Sequence, residues 1–173
     1  LTAERFFIGA IIIIVLGLCM TINQYLYGLE QLRNRRERAF EAYIREHNRA
    51  SAPAAARIDP DGLTSRSGYN STEDKLIRAA DAWARYDKAD NLYYGYSKQF
   101  GRNLDKLAKL YGWQERAALE KIYIENMGRP QETRRGGLCR ALGVRTKAEA
   151  GTIVRAAKQH LTEILRAQGI EIE

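Results

Sequence analysis

The sequence predicts an all-α chain: an N-terminal single transmembrane helix continuing into an amphipathic stalk helix, then a linker, then a small helical bundle. Three observations carry that prediction. Phe6 to Ile22 is a run of seventeen residues without a charge, apolar residues elsewhere recur at threes and fours rather than in alternation, and Pro and Gly gather between residues 51 and 71. The expected parts are a transmembrane anchor (1–28), a stalk helix (29–50), a linker (51–71) and a basic helical-bundle domain (72–173). With 45% hydrophobic residues and a net charge of +7 over 173 residues, the composition excludes a disordered tail and a wholly membrane-embedded bundle. Two cysteines, Cys19 and Cys139, are too few for a disulfide framework and read as reduced thiols.

The apolar run spans roughly 26 Å as a helix, a little short of the bilayer hydrocarbon thickness of about 30 Å, and Tyr25, Leu26, Tyr27 and Leu29 can extend it. Phe6, Phe7, Tyr25 and Tyr27 then fall at the two interfaces, where aromatic rings are favoured, while Ile11, Ile12, Ile13, Ile14 and Leu16 meet lipid. Four consecutive isoleucines suit lipid better than the two-faced packing of a buried core helix. A cleaved signal peptide needs small residues at a cleavage site, and Asn23-Gln24-Tyr25-Leu26-Tyr27 offers none, so the segment reads as an uncleaved signal anchor. Arg33, Arg35, Arg36 and Arg38 follow the run, against a single Arg5 before it offset by Glu4. The positive-inside rule then puts the N-terminus outside. The C-terminal domain becomes cytoplasmic at a bacterial inner membrane, or matrix-facing at a mitochondrial one.

Leu29, Leu32, Ala39, Phe40, Tyr43 and Ile44 give the stalk its apolar stripe, and Glu37, Glu41 and Glu46 interleave with Arg33, Arg38, Arg45 and Arg49 at helical spacings. Read as a coiled-coil seam, Leu29, Leu32, Arg36, Ala39, Tyr43 and Glu46 fall in line, but Arg36 and Glu46 interrupt it. Self-association of the stalk is thus weakly supported, and packing against another subunit's helix fits at least as well. Pro53, Pro60, Gly62 and Gly68 mark the linker as a flexible tether.

Helical signals resume at Asn70, an N-cap with Glu73 three residues on. Leu76, Ile77, Ala80, Trp83 and Ala84 form a first stripe. Phe100, Leu104, Leu107 and Tyr111 form a second helix ended by Gly112, and Ala118, Leu119, Ile122 and Tyr123 a third stopped by Gly128-Arg129-Pro130. A short helix holds Leu138, Ala141 and Leu142. The last runs from about Lys147 to Gln168 behind a Thr146/Glu149 capping box, with Ala150, Ile153, Val154, Ala157, Leu161, Ile164 and Leu165 on one face.

Three constellations in this domain are candidates for function. Tyr93, Tyr94 and Tyr96 lie within four residues, with Trp83 nearby, so some of these rings should be exposed as partner contacts. Arg129, Arg134, Arg135, Arg140, Arg145 and Lys147 meet one acid, Glu132, in the same stretch, and form a candidate binding segment for a partner or anion. From Arg129 onwards nine bases face five acids, a net +4. Leu138–Leu142, Gly143 and the capped helix after Thr146 have the layout of a helix-turn-helix, which would read DNA with Thr146, Lys147 and Glu149. No phosphate-binding GxxxxGK[ST] loop is present. His47 and His160 have no nucleophile or metal-ligand partner at a useful spacing.

The expectation is therefore a non-catalytic, membrane-anchored accessory or scaffold subunit of a larger complex, with no cofactor and no metal. Its basic, Tyr-rich helical domain would contact other membrane-protein subunits, an acidic protein surface or anionic lipid. The alternative is a membrane-tethered nucleic-acid-binding protein, and homo-oligomerisation is left open.

Overall fold

The computed structural model of the chain describes residues 20–51 and 72–173. Among the described residues five α-helices follow one another: α1 (Ile22–Ser51), α2 (Thr72–Tyr111), α3 (Trp113–Glu120), α4 (Leu138–Leu142) and α5 (Lys147–Arg166). A π-helical turn, Lys121–Glu125, prolongs α3. Among the described residues the one β-type pairing is a parallel bridge between Met20 and Ile172. The all-α class is as expected; the membrane anchor is not.

No helix among the described residues is long and apolar enough to cross a membrane. This overturns the expected single-pass signal anchor, with its orientation and its cytoplasmic or matrix-facing location. The physical reason is visible at the end of the expected span. Tyr25 and Leu26 are each 1% exposed, and both are packed against protein. The Tyr25 hydroxyl accepts a hydrogen bond from the buried Asn103 side chain at 2.8 Å, and Tyr27 sets its ring edge-on to Tyr123 at 5.2 Å. These residues begin α1, so the boundary expected at residue 28 lies inside a continuous helix. Phe6, Phe7, Ile11, Ile12, Ile13, Ile14, Leu16 and Cys19 lie outside the described residues, as do the Asn70 cap and the linker, apart from its first residue, Ser51, which ends α1.

The chain divides into two compact units. One holds the described residues up to Leu32 together with Tyr93–Glu173; the other is Arg33–Leu92. In the first, which we call the bundle unit, Tyr25, Leu26 and Leu29 from α1 are buried along with Phe100, Leu104 and Leu107 from α2. Ala118 and Leu119 from α3, Leu142 from α4, and Ala157, Leu161 and Leu165 from α5 join them in the core, these six each below 1% exposure. Each such leucine contributes about 1.5–3 kcal/mol through the apolar area it removes from water. The α5 face is the one its sequence period predicts, and Thr146 and Glu149 form the capping box at its start. Gly112, at φ 114°, takes a backbone angle that other residues rarely adopt and so separates α2 from α3, which packs on α5.

The four residues expected on the third stripe, Ala118, Leu119, Ile122 and Tyr123, are all buried, the last two through the π-helical turn with its one extra residue. Asn126 N–H donates to the Lys121 carbonyl at 3.1 Å, five residues back, and Ile122 and Tyr123 both face inward. Asn126 itself is buried and donates from its side chain to the Arg134 carbonyl at 2.8 Å, which pins the loop that follows.

In the second, two-helix unit, the stalk portion of α1 pairs with residues of α2. The Arg36 that interrupts the seam is answered by an ion pair and hydrogen bond to Asp90, which holds its guanidinium above the ordinary range. α2 is one helix of 40 residues where two were expected, and it runs through Gly95 and Gly101 despite a cost of about 1 kcal/mol for each glycine. The stripe expected to be buried is also shifted. Ala79, Ala82 and Ala89 are the buried positions, whereas Leu76, Ile77 and Trp83 are 49–58% exposed. The small side chains are the covered ones, and the large ones are left on the outside.

Candidate functional site

The two-helix unit concentrates its large side chains on its surface. Phe40 and Tyr43 lie one turn apart on α1, and Trp83 and Tyr86 one turn apart on α2. The ring centroids of Tyr43 and Trp83 are 5.1 Å apart at 62°, those of Phe40 and Tyr86 5.2 Å, and those of Trp83 and Tyr86 5.5 Å. His47 continues the row, 5.6 Å from Tyr43. Edge-to-face and tilted pairs at these separations are the arrangements that ring quadrupoles favour, so the cluster is preorganised. It is also open: Phe40 is 45% and Trp83 49% exposed, with Ile44 beside them at 38%. A connected aromatic surface of this kind offers rigid apolar area with polar edges, the composition of contact hot spots.

The tyrosines proposed as partner contacts do not act together. Trp83 belongs to the two-helix unit and the other three to the bundle unit. Tyr94 is exposed and Tyr93 half-buried. Tyr96 is 6% exposed, packs between Tyr25 and Phe100, and donates its hydroxyl to the Tyr25 carbonyl. Burial holds the hydroxyls of Tyr25 and Tyr96 protonated well above the usual tyrosine range. Tyr96 is therefore a core residue and not an interface candidate.

The basic cluster expected to set topology has ordinary partners instead. Arg33 pairs with Glu37 at 2.8 Å and Arg36 with Asp90, while Arg35 and Arg38 are exposed. Of the C-terminal basic residues, Arg134 is not available to a ligand. It is 8% exposed and pairs with Glu30 at 2.7 Å, and its Nε donates to the Arg129 carbonyl at 2.9 Å. Its guanidinium lies 5.0 Å from the Tyr27 ring centroid. Arg129, Arg135, Arg140, Arg145 and Lys147 are exposed.

Both helices of the expected helix-turn-helix segment form. α4 ends at Gly143 in the left-handed region, and α5 begins at Lys147. The Glu149 carboxylate is engaged at the start of α5, where it accepts from the Arg145 backbone at 3.1 Å.

Sequence spacing gave His160 no partner, but the fold supplies several. Its Nδ1 lies 2.8–2.9 Å from both Glu115 oxygens, and its ring stacks on Tyr111 at 3.8 Å and 6°. The Tyr111 hydroxyl donates to Glu163 at 3.0 Å. The contact partners are 45 and 49 residues away in the chain, beyond the reach of a spacing argument. An open cleft of about 220 Å³ between Trp113 and Ile153 includes Glu115 in its lining. Among the described residues no three His, Cys, Asp or Glu side chains are grouped to hold a metal ion.

The chain matches no protein-family model, and neither a curated protein nor a solved structure is detectably similar to it.

Proposed function

We propose that the chain is a non-catalytic binding subunit of a larger protein assembly, and that the aromatic face of its two-helix unit is the surface that engages partner proteins. The observation that carries this reading is the connected, half-exposed cluster of Phe40, Tyr43, Trp83 and Tyr86. Exposed singly, such side chains need no explanation; gathered in ring contact with one another, they form an apolar patch of the kind that marks contact sites. A photo-crosslinking residue at position 83, introduced in cells that express the chain natively, should give a discrete adduct of higher mass. The same residue at the exposed Lys98 should not, and Phe40→Ser should abolish the adduct at 83. No adduct at 83, or equal adducts at 83 and 98, would overturn the reading.

A second reading, nucleic-acid binding, is supported by the α4–Gly143–α5 arrangement with exposed Arg140, Arg145 and Lys147 around the start of α5. Filter binding separates the two. Phosphate-driven association must weaken steeply with added salt, and absence of binding at low salt removes this alternative.

A further inference from the structure

The aromatic face of the two-helix unit has a charge of its own, opposite in sign to that of the chain. On a helix, side chains three and four residues apart are surface neighbours. At that spacing from Phe40, Tyr43 and Ile44 on α1, and from Trp83 and Tyr86 on α2, the charged residues are Arg36, Glu37, Glu41, Glu46, Asp87 and Asp90. One base thus stands among five acids, in a chain whose net charge is +7.

Pairing among these groups leaves two acids over. Arg36 is paired with Asp90, Glu37 with Arg33 and Glu46 with Arg49. Glu41 and Asp87 are exposed and have no base within ion-pair distance among the described residues; Asp87 accepts from the neutral Asn91 side chain at 3.2 Å. Glu41 lies one turn before Ile44 and Asp87 one turn after Trp83, so each helix borders the rings with an uncompensated carboxylate. The ring faces are electron-rich and attract cations as well. The same charges disfavour two other occupants. A second copy meeting this face with its own would set acids against acids, and like charges across an interface cost affinity. Nucleic acid would bring its phosphates to carboxylates.

We propose that the aromatic face takes an arginine-bearing segment of a partner protein, with guanidinium groups stacked on the open rings and paired with Glu41 and Asp87. Arginine makes both contacts with one group: the guanidinium is planar, stacks on aromatic faces and meets a carboxylate with a fork of donors. Trp83, half-exposed and the ring type that attracts cations most strongly, is the central residue. The assignment rests on this face being a partner surface, and adds the charge of the partner.

The test is an NMR titration of the full ¹⁵N-labelled chain with an amphipathic peptide of about fifteen residues, leucine along one stripe and arginine on its flanks. The Trp83 indole N–H should shift saturably, with half-saturation at roughly 10–100 μM. The Trp113 indole, in the bundle unit, should not move. The same peptide with glutamine in place of arginine should bind at least about tenfold more weakly, and added salt should weaken the arginine peptide. Glu41→Gln combined with Asp87→Asn should also cost about tenfold. Glu132→Gln, an exposed acid of the bundle unit, should leave binding unchanged, and thermal melts of the variants should match the parent. No saturable shift at Trp83, equal binding of the two peptides, or equal loss in Glu132→Gln would overturn the proposal. So would a Trp83 shift that follows the concentration of the chain alone, the mark of a second copy. The crosslink at position 83 separates this outcome from failure of the wider reading. An adduct that forms as well with Glu41→Gln and Asp87→Asn as without them leaves the partner surface standing and removes its preference for arginine, whereas no adduct in either case removes both.

Discussion

Replacing Gly28 by alanine sets two effects against each other, and the structure decides between them. Alanine gains about 1 kcal/mol over glycine in a helix interior. Gly28, however, lies in α1 directly against Tyr96. A Cβ at this position would sit 2.6 Å from the Tyr96 hydroxyl oxygen and 3.0 Å from Cζ, inside the ordinary contact distance of about 3.5–4.0 Å. Tyr96 cannot swing aside, because its ring is packed against Tyr25 and Phe100 and its hydroxyl is bonded to the Tyr25 carbonyl. Overpacking of this kind costs about 1–3 kcal/mol, and loosening the buried hydroxyl bond costs about 1 kcal/mol more. The net expectation for Gly28→Ala is a loss of about 1–3 kcal/mol, read as a fall of roughly 0.5–1.5 M in urea midpoint by far-UV circular dichroism of the full chain. Tyr96→Phe removes the oxygen nearest the new Cβ, so adding it to Gly28→Ala should cost less than the two single changes summed, by at least about 1 kcal/mol. If Gly28→Ala alone stabilised the chain by about 1 kcal/mol, as it would on a helix face meeting lipid or solvent, the burial reasoning for this end of α1 would fail.

Two further outcomes follow from the bundle unit. Glu30→Gln leaves the buried Arg134 guanidinium without its counter-charge and should destabilise by about 3–5 kcal/mol, while Glu30→Gln with Arg134→Met should cost clearly less than the sum of the single changes; additivity in urea denaturation would show that the pair is not coupled. Stability should also decline at alkaline pH. Tyr25 and Tyr96 stay protonated in the fold above pH 10 while their unfolded counterparts ionise, so the unfolded chain binds fewer protons there. Each tyrosine contributes nothing below about pH 10 and a loss of about 1.4 kcal/mol per pH unit above it. Urea midpoints at pH 9, 10 and 11 should therefore fall less steeply in Tyr96→Phe than in the parent, and identical slopes would refute the assignment.

What could be read from the sequence was local. The Thr146/Glu149 capping box and the apolar face of α5 are set by residues three and four apart, and both are found as expected. The short α4 with Leu138 and Leu142 buried is equally local. The misreadings come from residues that two environments can satisfy. An uncharged run ending in tyrosines suits a bilayer interface, but Tyr25 suits a core equally well once Asn103, 78 residues later, supplies a donor. A stripe containing Leu76, Ile77 and Trp83 outweighs one made of alanines on any hydropathy count, yet Ala79, Ala82 and Ala89 are the positions that are covered. Counting arginines gave the field of the C-terminal segment but not its pairing. Glu30, 104 residues before Arg134, removes the central one from the candidate surface.

The division of the chain also bears on the order in which it folds. The bundle unit is assembled from two stretches separated by the whole of residues 33–92, and contacts such as that between Tyr25 and Tyr96 close a loop of 71 residues. Pairing within residues 33–92, through contacts such as Arg36 with Asp90, would bring Leu32 and Tyr93 together first. The loop left to close then shrinks to about a dozen residues, which lowers the chain-entropy cost of the Tyr25–Tyr96 contact by about 1.5–2 kcal/mol. The pairing within residues 33–92 would in that case set the rate at which the bundle unit forms.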